Sequence, residues 1–273
     1  MTDKILVTGG GTFLGDSIAA ALLAAGAEVT LLVRPGAEDN LGGLADRVRV
    51  FTGDVWTPAS LKGRARGHQH VIHTVGGLRA DPSQGLTYQW LNFVSARNVA
   101  NLCVNAGVQH LVLISGARAP WLNGGYIAAK REAEDYIQRV GLRTTIIRAP
   151  LVYLRGSRRP LFYQLMTLLG KIPPISWLGM ARIAPMPVDV LARGVARLTL
   201  QPRGESRVFY AGDLRRMNSM REQEHGRANE PQYIDDSTKP KNPFRHQNEE
   251  TPFGWTPSSD SPSDDTPSRD RRR

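Results

Sequence analysis

The sequence predicts an α/β domain built as a doubly wound parallel sheet, a Rossmann-type arrangement with helices on both faces. Three observations lead there. Short β-type apolar runs alternate with longer helical stretches through the first 150 residues, the connections between them are short, and a glycine cluster separates the first run from the first helix.

The elements follow in order. Lys4–Thr8 (KILVT) is a strand, and Leu14–Gly26 is an Ala/Leu helix ended by Gly26. Glu28–Val33 and Val48–Thr52 are the second and third strands, and His70–Val75 is a less apolar fourth. Leu86–Gly107 forms a long helix with Leu91, Val94, Asn98 and Leu102 along one face. His110–Ser115 (HLVLIS) is the fifth strand, Tyr126–Val140 a helix and Thr144–Arg148 the sixth strand. Leu161–Leu169 reads as a helix, followed by a Pro-rich passage to Pro187, a helix Asp189–Leu200 and a strand Arg207–Ala211. The domain thus ends near residue 212, and residues 151–187 supply a small C-terminal substrate cap. No repeat at solenoid periods is present.

Charge and apolar content divide the chain unevenly. The 273 residues carry a net charge of +10, but residues 1–220 hold 26 basic and 14 acidic side chains, whereas residues 221–273 hold 9 and 11. Those last 53 residues contain seven prolines and only six apolar side chains, too little burial to offset chain entropy. Residues 213–273 are therefore expected to be a mostly disordered polar tail, closed by Arg-Asp-Arg-Arg-Arg.

Several function classes fall away. A single cysteine, Cys103, excludes an intramolecular disulfide framework and any cysteine-based structural zinc site. The N-terminus MTDKILVTGG turns to glycine too soon for a signal peptide, and the apolar run Leu161–Met180 is broken by Lys171 and Pro173–Pro174. The expectation is a cytoplasmic protein with no integral membrane segment. His68 and His70 fall on one side of the fourth strand and His73 on the other, a poor arrangement for a metal. The basic residues occur as scattered pairs (Arg64/Arg66, Arg158/Arg159, Arg215/Arg216), not as a stripe on a readable module, so no nucleic-acid partner is expected. Arg158, Arg159 and Lys171 border the expected substrate region, where they form either a solvated face or an attraction for an anion.

Two stretches carry chemistry. Thr8-Gly-Gly-Gly-Thr-Phe-Leu-Gly15 runs from a strand straight into a helix, the context in which glycines let the backbone approach a pyrophosphate seated on the N–H groups of the helix start. Further on, Tyr126-Ile-Ala-Ala-Lys130 places a phenol and an ammonium on one helical face. A neighbouring ammonium favours the phenolate, so Tyr126 can exchange a proton with a substrate hydroxyl or carbonyl, with Ser115 within reach of the same oxygen. The bland reading of the pair is a packed tyrosine and a solvated lysine on an amphipathic helix.

These motifs resemble the short-chain dehydrogenase/reductase superfamily in its extended and atypical branches, over roughly residues 3–212. The resemblance implies that Gly9, Gly11, Thr12, Phe13, Leu14 and Gly15 form the phosphate loop, although Thr12 stands where the family has its middle glycine. A β-branched residue at positive φ is costly, so either the loop is rearranged, with Thr12 offering its hydroxyl to a phosphate, or affinity is reduced. It further implies that Asp54 and Val55 meet the adenine, Thr74, Val75 and Gly76 the adenosine ribose and cofactor wall, and Pro150 and Val152 the nicotinamide. Ser115, Tyr126 and Lys130 become a catalytic set, with Lys130 also on the ribose. Asn92 and Asn98 look like the family's central helix. Each position also has a plain alternative: Asp54 as a turn cap, the asparagines as solvated polar groups. Val33-Arg34-Pro35 ends the second strand without the acid that an NAD site would carry, so Arg34 favours NADP over NAD. Lys130–Glu134 (KREAE) and Arg148–Tyr153 (RAPLVY) are similar to an accessory subunit of respiratory complex I. Two functions therefore stand. One is an NAD(P)-binding oxidoreductase or epimerase/dehydratase, with Tyr/Lys-assisted hydride transfer on a small-molecule substrate, free or nucleotide-linked. The other is a non-catalytic NADP(H)-binding accessory or redox-sensing protein, with a homodimer or larger complex as its assembly.

Overall fold

A computed structural model of the chain describes residues 2–154, 184–201 and 207–218. The expected helix Leu161–Leu169, most of the expected cap, Arg158, Arg159 and Lys171, and the tail from residue 219 onward lie outside the described residues.

The core is one seven-stranded sheet in which every neighbouring pair runs parallel. Its strands are β1 (Lys4–Gly10), β2 (Glu28–Val33), β3 (Arg49–Thr52), β4 (His70–His73), β5 (His110–Gly116), β6 (Thr144–Ala149) and β9 (Arg207–Tyr210). The order β3-β2-β1-β4-β5-β6-β9 reverses direction between β1 and β4, and ligands of such sheets bind outside the strands' C-terminal ends at that reversal. A separate short pair, β7 (Val152–Tyr153) with β8 (Met186–Pro187), follows β6. The doubly wound α/β fold is as the sequence predicts.

Helices cover both faces. On one, α1 (Phe13–Ala24) and α5 (Val188–Leu200) bury Leu14, Ile18, Leu191 and Val195 against Ile5, Val7 and Leu31. On the other, α3 (Ser95–Ala106) and α4 (Gly124–Arg139) bury Val99, Cys103, Ala133 and Ile137 against Leu6, Val71 and Leu111. Strands enclosed on both faces read as the near-continuous apolar runs from which they are recognised. Between β3 and β4 lies the single turn α2 (Pro58–Leu61).

Two elements depart from the expected bounds for local reasons. The long helix expected over Leu86–Gly107 is a π-wound segment, Gln89–Val94, that runs into α3. Asn92 sits at its centre, fully buried, with Nδ2 donating to the Tyr88 and Gly77 carbonyls while Oδ1 accepts the Gly77 N–H (3.1 Å). A π-turn of this kind often marks a functional position. The strand Arg207–Ala211 stops at Tyr210, and a helix α6 (Ala211–Met217) follows, carrying the fold past the expected boundary at 212. The Asp213 carboxylate accepts the Tyr210 N–H (2.9 Å), and the buried Leu214 packs beneath Gly194 of α5. Neither signal is periodic enough to read from so short a segment.

The buried histidines each find a protein partner. His70 and His110, register neighbours on β4 and β5, face each other Nδ1 to Nδ1 at 3.1 Å, and His110 Nε2 pairs with Thr145 Oγ1 at 2.9 Å. Burial pushes both imidazoles below the ordinary 6.5, His110 to about 4, with His70 beside it adding to the effect. The folded chain therefore binds fewer protons than the unfolded one between those values, and the stability of the neutral pair is lost as pH falls from 6.5 towards 4. Replacing His110 with Gln is expected to remove up to about 1.4 kcal/mol per pH unit from the slope of unfolding free energy in that window. Urea titrations at several pH values check this, and an unchanged slope would place the acid sensitivity elsewhere.

Candidate functional site

The strand ends collect the sequence-predicted residues along one edge of the sheet. At β1 the chain passes through Gly9 (φ 90°) and Gly11 (φ 77°) before entering α1. A Cβ at Gly9 would stand 2.3 Å from Thr74 Oγ1, and one at Gly15 would stand 2.1 Å from the Gly9 carbonyl oxygen. Neither approach leaves room for a side chain. At Thr12 the loop is rearranged, one of the two alternatives left open: its φ is −119°, because the left-handed position falls on Gly11. Its hydroxyl donates to the Gly9 carbonyl (2.7 Å) and accepts the Gly15 N–H (3.2 Å), so it caps α1 and is not turned towards a phosphate. The next two amides, Phe13 and Leu14, find no acceptor among the described residues. An open helix start behind a glycine loop fits the pyrophosphate of a dinucleotide.

Farther along the edge, Thr74 Oγ1 donates to the Thr8 carbonyl (2.6 Å), which ends β4 early and ties it to the loop. Asp54 is buried and caps its own turn, accepting the Trp56 N–H (2.9 Å) and the Thr57 hydroxyl (3.3 Å), with Val55 fully buried behind it. These are the turn contacts of the plain alternative for Asp54, and Asn98, far from solvated, donates to the Val55 and Trp56 carbonyls. A Cβ at Gly76 would meet Asn92 Oδ1 and Lys130 Nζ at 2.5 and 2.6 Å, so that glycine lets α4 close on β4. Arg34 is half-buried after β2, and the nearest acid, Glu38, accepts a hydrogen bond from Thr52 (3.1 Å).

Leu14, Gly116, Tyr126, Pro150, Val152 and Leu191 line one pocket beside the β1–β4 reversal. Apart from the Tyr126 hydroxyl its side chains are apolar. Tyr126 is 1% exposed, and no hydrogen bond of its hydroxyl is found among the described residues. Burial raises its pKa, and the cation that opposes this is Arg131, whose Nη2 donates to the Gly116 carbonyl at 2.8 Å. Lys130 is equally buried, with Nζ donating to the Ile114 (3.3 Å) and Val75 (3.5 Å) carbonyls and its pKa lowered by burial to about 8. The expectation gave Lys130 the task of lowering the phenol; in the unliganded chain the nearby cation acting in that direction is Arg131.

Ser115 is not joined to Tyr126. Its hydroxyl donates to Glu134 Oε1 at 2.5 Å and accepts from Arg131 Nη1 at 3.2 Å. Glu134, itself buried, also pairs with Arg131 and with Arg148 (2.6 Å), and Arg148 donates on to Tyr210 (2.7 Å). This network, and Asp16 beneath the loop, are the polar groups that sequence reasoning left without a role. The signals were present: an acid in the first turn of the helix behind the glycine loop, and base and acid three residues apart, Arg131 and Glu134, in the KREAE run.

The chain is 31% identical over 174 residues to ceramide reductase of Caulobacter vibrioides, covering 63% of this chain and 54% of that one. It is 32% identical over 114 residues to the human sterol-4-alpha-carboxylate 3-dehydrogenase, decarboxylating, covering 42% and 29%. The chain therefore matches about half, or less, of the length of these relatives. Among solved structures, Bordetella bronchiseptica WbmH in complex with NAD+ aligns with a TM-score of 0.56 at 19% identity, over 78% of this chain and 77% of that one. The Thermus thermophilus UDP-glucose 4-epimerase complex with NAD aligns at 0.54 and 21% identity, over 76% of each. At such identities the likeness is one of fold. The relatives are reductases of the short-chain dehydrogenase/reductase type, as the sequence resemblance implies. Residues 9–161, more than half of the chain, match the family described as NAD(P)H-binding, and to that family the chain belongs.

Proposed function

We propose that the chain is a hydride-transfer oxidoreductase, or a cofactor-dependent epimerase/dehydratase, that prefers NADP(H) and acts on a small-molecule substrate. The observation that carries this reading is the Tyr126 hydroxyl, without a partner among the described residues, in an apolar pocket shared with Leu14, Pro150 and Val152. A polar group so enclosed needs a partner, and a substrate oxygen supplies one.

A bound nicotinamide dinucleotide supplies or accepts the hydride. The Phe13 and Leu14 amides would hold its phosphates, and Lys130 its ribose. Tyr126 gives its proton to a carbonyl oxygen as the carbon is reduced, and takes it back from the hydroxyl in the reverse direction. Arg131 steadies the phenolate between these steps. Ser115 polarises the same oxygen only if its hydroxyl leaves Glu134. The apolar lining favours an apolar ketone or alcohol, and the relatives named for a ceramide and a sterol support that choice. A cytoplasmic location suits Cys103, whose buried thiol is pushed up to about 12, and assembly as a homodimer or in a larger complex completes the reading.

The engagement of Ser115 by Glu134 and Arg131 favours a second reading, a non-catalytic accessory or redox-sensing protein that holds the dinucleotide. Cofactor oxidation on a panel of quinones, ketones and nucleotide sugars separates the two.

Tyr126→Phe should lower turnover by roughly two to four orders of magnitude while leaving cofactor affinity nearly unchanged. Equal rates in variant and wild type would select the non-catalytic reading. Gly15→Val should abolish dinucleotide binding in calorimetry, because the new side chain drives α1 away from the Gly9 carbonyl, and unchanged affinity would refute the loop assignment. Thr12→Gly, by contrast, should lose about 1 kcal/mol or less of stability with its cap and gain no backbone freedom that binding needs. Titrating NADP and NAD against wild type and Arg34→Ala tests the preference. Wild type should favour NADP by about 1–3 kcal/mol, the worth of a charged hydrogen bond, and the variant should lose most of that margin. A wild-type preference for NAD would sink the claim.

A further inference from the structure

Asp16 is an acid in an unexpected place. It lies in the first turn of α1, 4% exposed, and its Oδ1 accepts the Gly11 N–H at 2.9 Å. The open amides of Phe13 and Leu14 belong to the same turn, so a carboxylate and a bound pyrophosphate would share one helix start. Two anions in a buried site raise each other's energy, and the cheaper state is the one in which the carboxyl is neutral.

We propose that Asp16 sets the affinity of the dinucleotide site by taking up one proton from solvent as the pyrophosphate seats, so that binding weakens as pH rises above neutrality. The inference rests on the reading of this loop as the dinucleotide site. The carboxylate plus a solvent proton becomes the carboxylic acid, and no other bond changes.

Its surroundings leave little to compete with this. Of the elements packed on α1, β1 carries Lys4, β2 carries Glu28, the turn Glu38–Arg47 carries Glu38, Asp39, Asp46 and Arg47, and α5 carries Asp189, Arg193 and Arg197. The groups that set the Asp16 titration are instead burial, which raises it to about 7, and the Gly11 N–H, which lowers it. The unliganded acid is thus poised near neutrality. Added negative charge can only move it upward, and between its free and bound values the association constant falls tenfold per pH unit.

The test uses the full chain and NADH, whose phosphates carry no titrating proton between about pH 6 and 9, unlike a phosphate monoester with its second pKa near 6. Calorimetry at pH 7.5 in two buffers of different ionisation enthalpy should show net proton uptake on binding to wild type, and none with Asp16→Asn. The wild-type association constant should fall towards tenfold per unit above pH 7, while the variant stays flat and binds several-fold more tightly at pH 8.5. Proton uptake that persists in Asp16→Asn, or none in wild type, overturns the inference with the dinucleotide site intact. A carbon-13 titration of the unliganded wild type gives a second readout, with the Asp16 carboxyl expected to titrate near 7. A midpoint in the ordinary range near 4 overturns the inference whatever NADH does. If neither NADH nor NADPH binds, the reading of the loop falls and takes this inference with it.

Discussion

The contact on which the rest of the site depends is the approach of Gly15 to the Gly9 carbonyl, where a Cβ would come to 2.1 Å. It presses the first turn of α1 onto the end of β1. With that approach fixed, the Thr12 hydroxyl reaches both the Gly9 carbonyl and the Gly15 amide, which leaves Phe13 and Leu14 as the unclaimed donors of the helix. The same placement brings Leu14 into the pocket with Tyr126 and seats α1 against α5. Backbone sterics at one residue thus set the phosphate donors, one pocket wall and a helix interface together.

A second constraint acts from α4. Glu134 is buried between Arg131 and Arg148, and Arg148 extends the chain of contacts to Tyr210 of β9. Removing one partner of a buried ion pair commonly costs about 3–5 kcal/mol, because the remaining charge is stranded. The network therefore holds the last strands to α4. It also fixes Arg131 on the Gly116 carbonyl, beside the phenol whose ionisation it favours. Ser115 is drawn into the network because it is the nearest hydroxyl to a carboxylate that needs donors. The structural role of that serine competes with the chemical role proposed for it, because its hydroxyl is already bonded to Glu134 and Arg131.

The parallel sheet and the glycine loop were legible because they rest on local chemistry: apolar runs enclosed on both faces, and a glycine cluster joining strand to helix. The winding of residues 89–94 was not, because it depends on the Asn92 side chain reaching the backbone of Gly77 across the fold. Ser115 and Tyr126 could be named from residue type and spacing, but spacing does not say which neighbour a hydroxyl will choose. Glu134 decided that from the next turns of α4, and Arg148 from another strand. The conformation of Thr12 went unread for a similar reason. A motif compares positions, whereas the positive φ belongs to whichever residue of the turn can accept it, here Gly11.

The two edges of the sheet treat buried polar groups differently. At the N-terminal edge His70, His110 and Thr145 close a chain of hydrogen bonds, and His68 pairs with Thr30, leaving His68 Nδ1 as the exception. At the C-terminal edge satisfaction is withheld. The Phe13 and Leu14 amides, the Tyr126 hydroxyl and His73 Nε2 all stand without hydrogen-bond partners among the described residues. A buried orphan such as His73 Nε2 costs about 1–3 kcal/mol, which the rest of the fold offsets. A ligand that supplies acceptors to the amides and an oxygen to the phenol recovers part of that deficit on binding. The open amides at the start of α1 and the unpaired phenol, rather than the histidines, which leave one buried nitrogen at each edge, set the C-terminal edge apart.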